Sequence, residues 1–529
     1  MPPFLYAPDG RVRPTGGHRT RAGCHEKGAW MMPRRLAGPV LVLTTCLLFH
    51  AAAAFGAVAS DAGPGEAAGA ADEASTDLRL SAAAADAASP PVGTCPENQA
   101  IPAAPPAPTD WYAPLKNIPL GPGTLSIDAA FRTRWEYTDN FHVRQFNTGL
   151  DDDVWLLRTR VGFDYRLDKH THAYLQFQDA HHYDYVLDRN QFPATCPFFD
   201  QVDVKQAFVE AEHLGGSPLG FKIGRQAISY ADKRIFGPGD WGNTGRYWWD
   251  AAKVYVDLEP VKVDLLFGQR VVSDPIRWNE RHFDLDMFGA YAQFKTLPCD
   301  LHAFYIVRYD DHDSARRNAG RGHERRHSVG TYVSGTFCKN WDYRGTLVGQ
   351  FGQFGRNEIE AYGANGQIGY TWHDCPWRPR LAADFSYASG DRDPADDKQQ
   401  TFDGVFGAID CFYGRMNLVA WMNLMDYQAI AQVTPVKGVT LECNYHYLTL
   451  ASDADAWYYC NGMPERSGRV GGSGTCLGQE VDLLAKWKLT KNLEFFAGYA
   501  RFWGGSVVAD SPQGRNDADW AFIQFMYSF

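Results

Sequence analysis

Arg132 and Arg134 stand two residues apart, and a second such pair, Arg158 and Arg160, follows, with Arg166 on the same alternation. A guanidinium fork grips a carboxylate through two parallel hydrogen bonds, so arginines in this pattern suit the holding or steering of anions. Asp128, Glu136 and Asp164 are interleaved with them, so part of the set can brace itself as ion pairs. The element that positions these side chains is a strand. From Thr124 to Tyr137, Leu125, Ile127, Ala129, Phe131, Thr133, Trp135 and Tyr137 share one face, and Ser126, Asp128, Ala130, Arg132, Arg134 and Glu136 share the other. The next segment repeats the pattern, with Trp155, Leu157, Val161 and Phe163 opposite Arg158, Arg160 and Arg166. A period of two sustained this long exceeds the five or six residues usual for a soluble strand.

Composition fits the same reading. Aromatic residues make up 14% of the chain and charged residues 21%, with a mean hydropathy of −0.37. That average is too polar for a bundle of membrane helices, and no apolar run of about 18 residues follows residue 60. A barrel whose strands alternate between lipid and a wet interior reconciles a polar mean with many rings, because the rings form girdles at the two interfaces. The period of two recurs in eighteen segments, including one at 416–434. The expected fold is therefore all-β: a transmembrane antiparallel β-barrel of about 18 strands with short periplasmic turns and long extracellular loops, among them 231–249, 390–415 and 451–478. No repeat of propeller-blade length is present. The last strand ends Phe525-Met526-Tyr527-Ser528-Phe529, which resembles the signal read by the outer-membrane barrel assembly machinery.

Three segments are expected. Residues 1–59 comprise an N-terminal extension and a signal peptide, with basic Arg34-Arg35, an apolar stretch from Leu36 to Phe55 and the small-residue site Ala57-Val58-Ala59; Met31 or Met32 reads as the start. Residues 60–122 read as a disordered, Ala/Pro-rich periplasmic segment. Residues 123–529 form the barrel. The formal charge of −11 becomes −16 without residues 1–59, leaving 44 basic against 60 acidic residues. That acidity gives no reason to expect a nucleic-acid partner. It also does not describe the interior, where the polar faces place Arg132, Arg134, Arg158, Arg160 and Arg166, with Arg270, Arg308, Arg326, Arg344 and Arg380 on later strands. Arginines lining an aqueous pore select anions.

The stretch from Gly224 to Arg234, the run Trp241-Gly242-Asn243-Thr244-Gly245-Arg246, Gln176 to Ala180, Ser389-Gly390-Asp391, Tyr413-Gly414-Arg415-Met416, Ala456-Trp457-Tyr458 and Gly478 to Asp482 are spread along the same region. Together they resemble the alginate export family of outer-membrane barrels over about residues 123–529. The resemblance implies an eighteen-stranded alginate-export porin passing an anionic polysaccharide or oligosaccharide, alginate-like, across the bacterial outer membrane. It makes Arg225, Arg234, Arg246 and Arg415 candidate constriction or loop residues, beside Arg132, Arg134, Arg158, Arg160, Arg166 and Arg344 from the alternation. Its partners would be the polysaccharide, outer-membrane lipid, the barrel assembly machinery and periplasmic export proteins. The alternative is a passive porin for small acidic solutes, and a less favoured one a barrel enzyme or adhesin.

Cys460 and Cys476 flank one Gly-rich outer loop and are the favoured disulfide in an oxidising compartment. Cys196 with Cys411 is a second pairing, and Cys299, Cys338 and Cys375 fall near turns of the opposite rim. Asp391, Asp393, Asp396 and Asp397 read as a solvated charge run, and no metal or cofactor site is assigned. No phosphate-binding loop, nucleophile elbow or H-E-x-x-H pattern is present, so no catalytic residue is assigned.

Overall fold

The computed structural model describes residues 110–529 except 189–190, 193–195, 312–315, 318–319, 409, 461, 463, 467–473 and 511–516. The signal-like segment and the Ala/Pro-rich tract up to residue 109 lie outside the described residues.

Eighteen antiparallel strands run in chain order. They are β1 Gly123–His142, β2 Gln145–Arg166, β3 Thr171–Tyr183, β4 Asp200–Ala211, β5 Leu219–Gln226 and β6 Trp249–Asp257. Then come β7 Val261–Val272, β8 Glu280–Phe294, β9 Asp300–Asp310, β10 Glu324–Phe337, β11 Trp341–Phe354 and β12 Asn357–Thr371. The circuit finishes with β13 Arg380–Ala388, β14 Leu424–Val436, β15 Val439–Thr449, β16 Cys476–Lys488, β17 Leu493–Gly504 and β18 Asp517–Ser528. Each pairs with its sequence neighbours, and β1 closes on β18 from Ala130↔Ser528 to Asp139↔Asp519. The expected barrel is the observed one. Among the described residues no helix is long and apolar enough to cross a membrane; the strands do the crossing.

The alternation becomes an outside and an inside. Phe131, Trp155, Leu157, Ile223, Leu265 and Phe267 are exposed on the outer face. Rings gather near strand ends, as in the contacts Phe337–Trp341, Trp341–Tyr370 and Tyr370–Trp372, with centroids 5.9, 5.0 and 4.7 Å apart. This is the aromatic belt of a bilayer interface.

Three local expectations are corrected. Residues 416–423 do not begin a strand; β14 starts at Leu424, and the preceding residues belong to a loop folded into the barrel, with Leu418, Trp421 and Asn423 almost wholly buried. Residues 110–122 are structured rather than part of a featureless linker: Ala113–Leu115 form a 3-10 turn and Ile118–Leu120 pair with the start of β1. No disulfide joins Cys460 to Cys476, because the Cys460 thiol faces Val143 O at 3.8 Å while Cys476 lies against Gly505. Cys411 is disulfide-bonded, but not to Cys196, and Cys299, Cys338 and Cys375 are unbridged.

The largest apolar cluster lies inside the barrel, where residues of the inward loops pack against inward-facing strand residues such as Leu266, Phe304, Ile359 and Phe496. Phe236 from the β5–β6 loop shares this cluster with Phe402, Phe406, Leu418 and Trp421 from the β13–β14 loop and with Trp249 of β6. The Phe236–Phe406 ring contact at 5.4 Å joins the two loops, and Trp249–Phe406 at 4.7 Å seats them on β6. Burying a ring or large aliphatic side chain stabilises by roughly 1.5–3 kcal/mol. These loops therefore dock inward instead of standing in solvent.

Candidate functional site: the inward loops and the cavity they leave

The loop between β5 and β6 crosses the interior to the wall formed by β1 to β4. Asp240 is its anchor. Arg160 Nη1 and Nη2 donate to Asp240 Oδ2 and Oδ1 at 2.9 and 2.7 Å, a bidentate fork. The Asp240 carbonyl accepts from Arg132 Nη1 at 3.1 Å and Arg158 Nη1 at 3.0 Å. Burial alone would raise the Asp240 carboxyl, but the guanidiniums of Arg160 and Arg158 and the Lys205 ammonium hold it well below the usual carboxylate range. The residues after it continue the docking. Arg134 Nη1 donates to Trp241 O at 2.8 Å, and its guanidinium lies 4.1 Å from a Trp241 ring centre. Arg132 also reaches Asn243 Oδ1 at 2.9 Å, and Gln178 and Lys205 both donate to Thr244 O.

Four of the expected pore arginines are thus loop anchors. Arg132, Arg134, Arg158 and Arg160 are 5%, 1%, 3% and 2% exposed. Their inward direction follows from the alternation. Their burial follows from a loop that alternation cannot register.

The second inward loop, between β13 and β14, joins the first through a bridge between Phe236 and Phe406. Gly237 N donates to Phe406 O at 3.0 Å and Ala408 N to Lys233 O at 2.9 Å. Arg234 ties both loops to the wall. Its Nε donates to Asp232 at 3.0 Å, its Nη2 lies 3.6 Å from Asp384, and its guanidinium rests 4.2 Å from the Phe412 ring centre. On the opposite side, Glu480 Oε1 and Asp482 Oδ2 accept the amides of Met416 and Arg415 at 2.9 and 3.3 Å. A third loop, after β15, completes the enclosure: Trp457 Nε1 donates to Leu418 O at 3.0 Å and Tyr459 Oη to His142 O at 2.9 Å.

Between these loops and the wall is a cavity of about 940 Å³. Arg134, Arg234, Arg246 and Arg415 line it, all four expected. Arg270 and Arg308, placed inward by alternation, line it too, as does Arg144, which the sequence reading did not single out. The lining carboxylates are Glu136, Asp310, Asp403 and Asp410. Arg132, Arg158, Arg160, Arg166, Arg225 and Arg344 are not among the lining residues. Arg225 instead forks onto Asp250 at 2.8 and 3.2 Å, Arg166 pairs with Asp164 at 2.8 Å, and Arg344 lies 3.5 Å from Asp384.

Arg246 and Arg415, like Arg270 and Arg308, are half-buried among the lining cations. Arg246 Nη1 donates to Cys460 O at 3.0 Å and Arg415 Nη1 to Asp410 O at 3.2 Å, so each holds a fixed position with donors to spare. Burial pushes the Asp410 carboxyl up, although Arg246, Arg134 and Arg415 surround it and favour its charge. Asp240 and Asp410 were both missed from sequence. Asp240 directly precedes the Trp241–Arg246 motif and Asp410 comes shortly before Tyr413–Met416, so the motifs themselves marked where to look.

The family model for alginate export matches residues 124–522. The chain belongs to the alginate export family. No curated protein matches it. Among solved structures it is similar to OccAB2 of Acinetobacter baumannii, with 11% identity and a TM-score of 0.51 over 76% of this chain and 98% of that one. It is also similar to OpdQ of Pseudomonas aeruginosa, with 12% identity and 0.51 over 77% and 97%, and to the outer-membrane protein OpdK of the same organism, with 11% and 0.50 over 77% and 98%. At that identity the likeness concerns the fold. This member of the alginate export family is an outer-membrane β-barrel, and family and fold together make it a transport channel.

Proposed function

We propose that this alginate export family channel passes an anionic polysaccharide or oligosaccharide, and that the cavity bounded by Arg246 and Arg415 is where the polymer's carboxylates are met. One observation carries the reading: seven arginines against four carboxylates line one enclosure in a chain whose overall charge is negative. The remaining lining suits sugar. Trp241, Tyr247 and Tyr413 belong to the same lining as the guanidiniums, so a pyranose ring and its carboxylate would meet aromatic and cationic groups together. The interior loops narrow the route, which favours a chain threaded in single file over bulk flow.

The competing reading is a passive porin for small acidic solutes, which the same cations would serve. Current block in a planar bilayer separates the two. Oligouronates should interrupt the current at concentrations where neutral oligosaccharides of equal length do not. Rapid passage of small organic anions with no block by any oligouronate would replace the polymer reading with the small-solute one.

A further inference from the structure

The segment Asp110–Pro122, ahead of the first barrel strand, lies at the rim of short turns and crosses the line where the barrel closes. Closure staggers the strands. Ladder pairing between β1 and β18 begins only at Ala130↔Ser528, with Phe529 and Ala129 exchanging their amide hydrogen bonds at 3.1 and 3.3 Å just beyond it. The first residues of β1, Gly123 to Asp128, extend past Phe529 and have no partner on β18. An unpaired strand edge of this kind is a liability. The chain covers part of it with itself: Ile118, Pro119 and Leu120 pair with Leu125, Thr124 and Gly123.

The residues just before them hook round the end of β18. Tyr112 stacks on Phe529 with centroids 5.3 Å apart, and Trp111 meets the same ring edge-on at 4.8 Å. Trp111 Nε1 donates to Tyr527 Oη at 2.8 Å, and Lys116 Nζ donates to Ile127 O on β1 at 2.7 Å. Asp110 pairs with Lys491, and Tyr112 meets Asn492, both on the β16–β17 turn. One short segment thus holds β1 on one side of the seam and β17 and β18 on the other.

We propose that Asp110–Pro122 is a latch that fastens the β1–β18 seam after the barrel has closed. Its hooked conformation requires β1, Phe529 and the β16–β17 turn to be in place already, so it forms last and opens first. The route to unfolding then begins with its release. The channel's interior plays no part in this, and the inference stands apart from the solute proposed above.

The test uses the full chain folded in detergent, following loss of the compact, SDS-resistant band on heating. Trp111→Ala with Tyr112→Ala should unfold about tenfold faster, since two aromatic contacts with Phe529 are lost. An oxidised cross-link between Thr133→Cys and Phe525→Cys, whose Cα atoms face each other across the seam, should return the rate to that of the unaltered chain. A cross-link between Val329→Cys and Gly349→Cys, which spans β10 and β11, should not. Unfolding of the double variant at the unaltered rate, or equal rescue by the two cross-links, would overturn the proposal. Should the double variant fail to fold, Trp111→Ala alone, at a side chain 64% exposed, is read the same way: faster unfolding supports the latch and an unchanged rate overturns it.

Discussion

Replacing Asp240 with Asn should release the β5–β6 loop from the barrel wall. The side chains are nearly the same shape, and the Asp240 carbonyl remains to accept from Arg132 and Arg158, so the change is one of charge. In the native chain the carboxylate takes both arms of Arg160 at 2.9 and 2.7 Å and lies 3.9 Å from Arg158. Arg158 and Arg160 are 3% and 2% exposed and cannot turn to water without moving the loop. Removing one partner of a buried ion pair costs about 3–5 kcal/mol, because the other charge is left uncompensated. With a factor of ten for each ~1.4 kcal/mol, the docked loop loses roughly a hundredfold to several thousandfold of its advantage over the released one. Two readouts apply. Single-channel current should become larger and noisier as the loop leaves the interior, and trypsin should gain access to Lys233 and Arg246. Adding Arg160→Gln should restore part of the docking, because the stranded charge is gone; a double-mutant cycle measures that coupling. Unaltered current and protease resistance in Asp240→Asn would refute the claim that this pair holds the loop.

Gly407→Ala should separate the two inward loops. A Cβ there would lie 1.8 Å from Arg234 O, so one backbone must yield, and increased hydrogen exchange around Phe236 and Phe406 would report it. The contact between the β13–β14 loop and the loop after β15 should strengthen in mild acid. Asp391, whose amide donates to Asp455 Oδ2 at 2.9 Å, is pushed up to about 6 from 3.8 by burial and by the Asp455 carboxylate. The folded contact therefore binds a proton that the unfolded one releases at lower pH, and its stabilising effect is full below about 4 and lost as pH rises through about 6. Protection of the amides near Asp391, taken relative to their intrinsic exchange rate at each pH, should rise from pH 7 to pH 5, and Asp391→Asn should flatten that rise; a protection profile unchanged by the substitution would count against it. Arg225→Gln should cost stability through its Asp250 and Asn279 contacts yet leave ion selectivity as it is, since Arg225 does not line the cavity.

What could be read in the residues follows from which order is periodic. Lipid on one face and polar groups on the other impose a period of two, so the eighteen strands and the inward direction of Arg132, Arg134, Arg158 and Arg160 are legible in the residues alone. The loops carry no period. Residues 416–423 contain Leu418, Val419 and Trp421 and pass for a strand start, whereas they are apolar because they pack inside the barrel. The same lack of period hid the wall arginines' true contact. A guanidinium facing inward can meet water, a solute or a loop, and only the path of the β5–β6 loop shows that four of them meet Asp240, Trp241 and Asn243. Motif resemblance reached further than alternation at this point. It singled out Arg234, Arg246 and Arg415, which do line the cavity, although it also named Arg225, which pairs with Asp250 elsewhere on the wall. The cysteine expectation rested on spacing in sequence alone, and Cys460 and Cys476 face different neighbours.

The reversal potential of a single channel under a salt gradient tests the central claim most directly. The unaltered protein should pass anions in preference to cations, and the double substitution Arg246→Gln with Arg415→Gln should shift the potential toward the cation side while leaving the SDS-resistant barrel intact. A cation-preferring channel, or a potential indifferent to the loss of both arginines, would contradict the account.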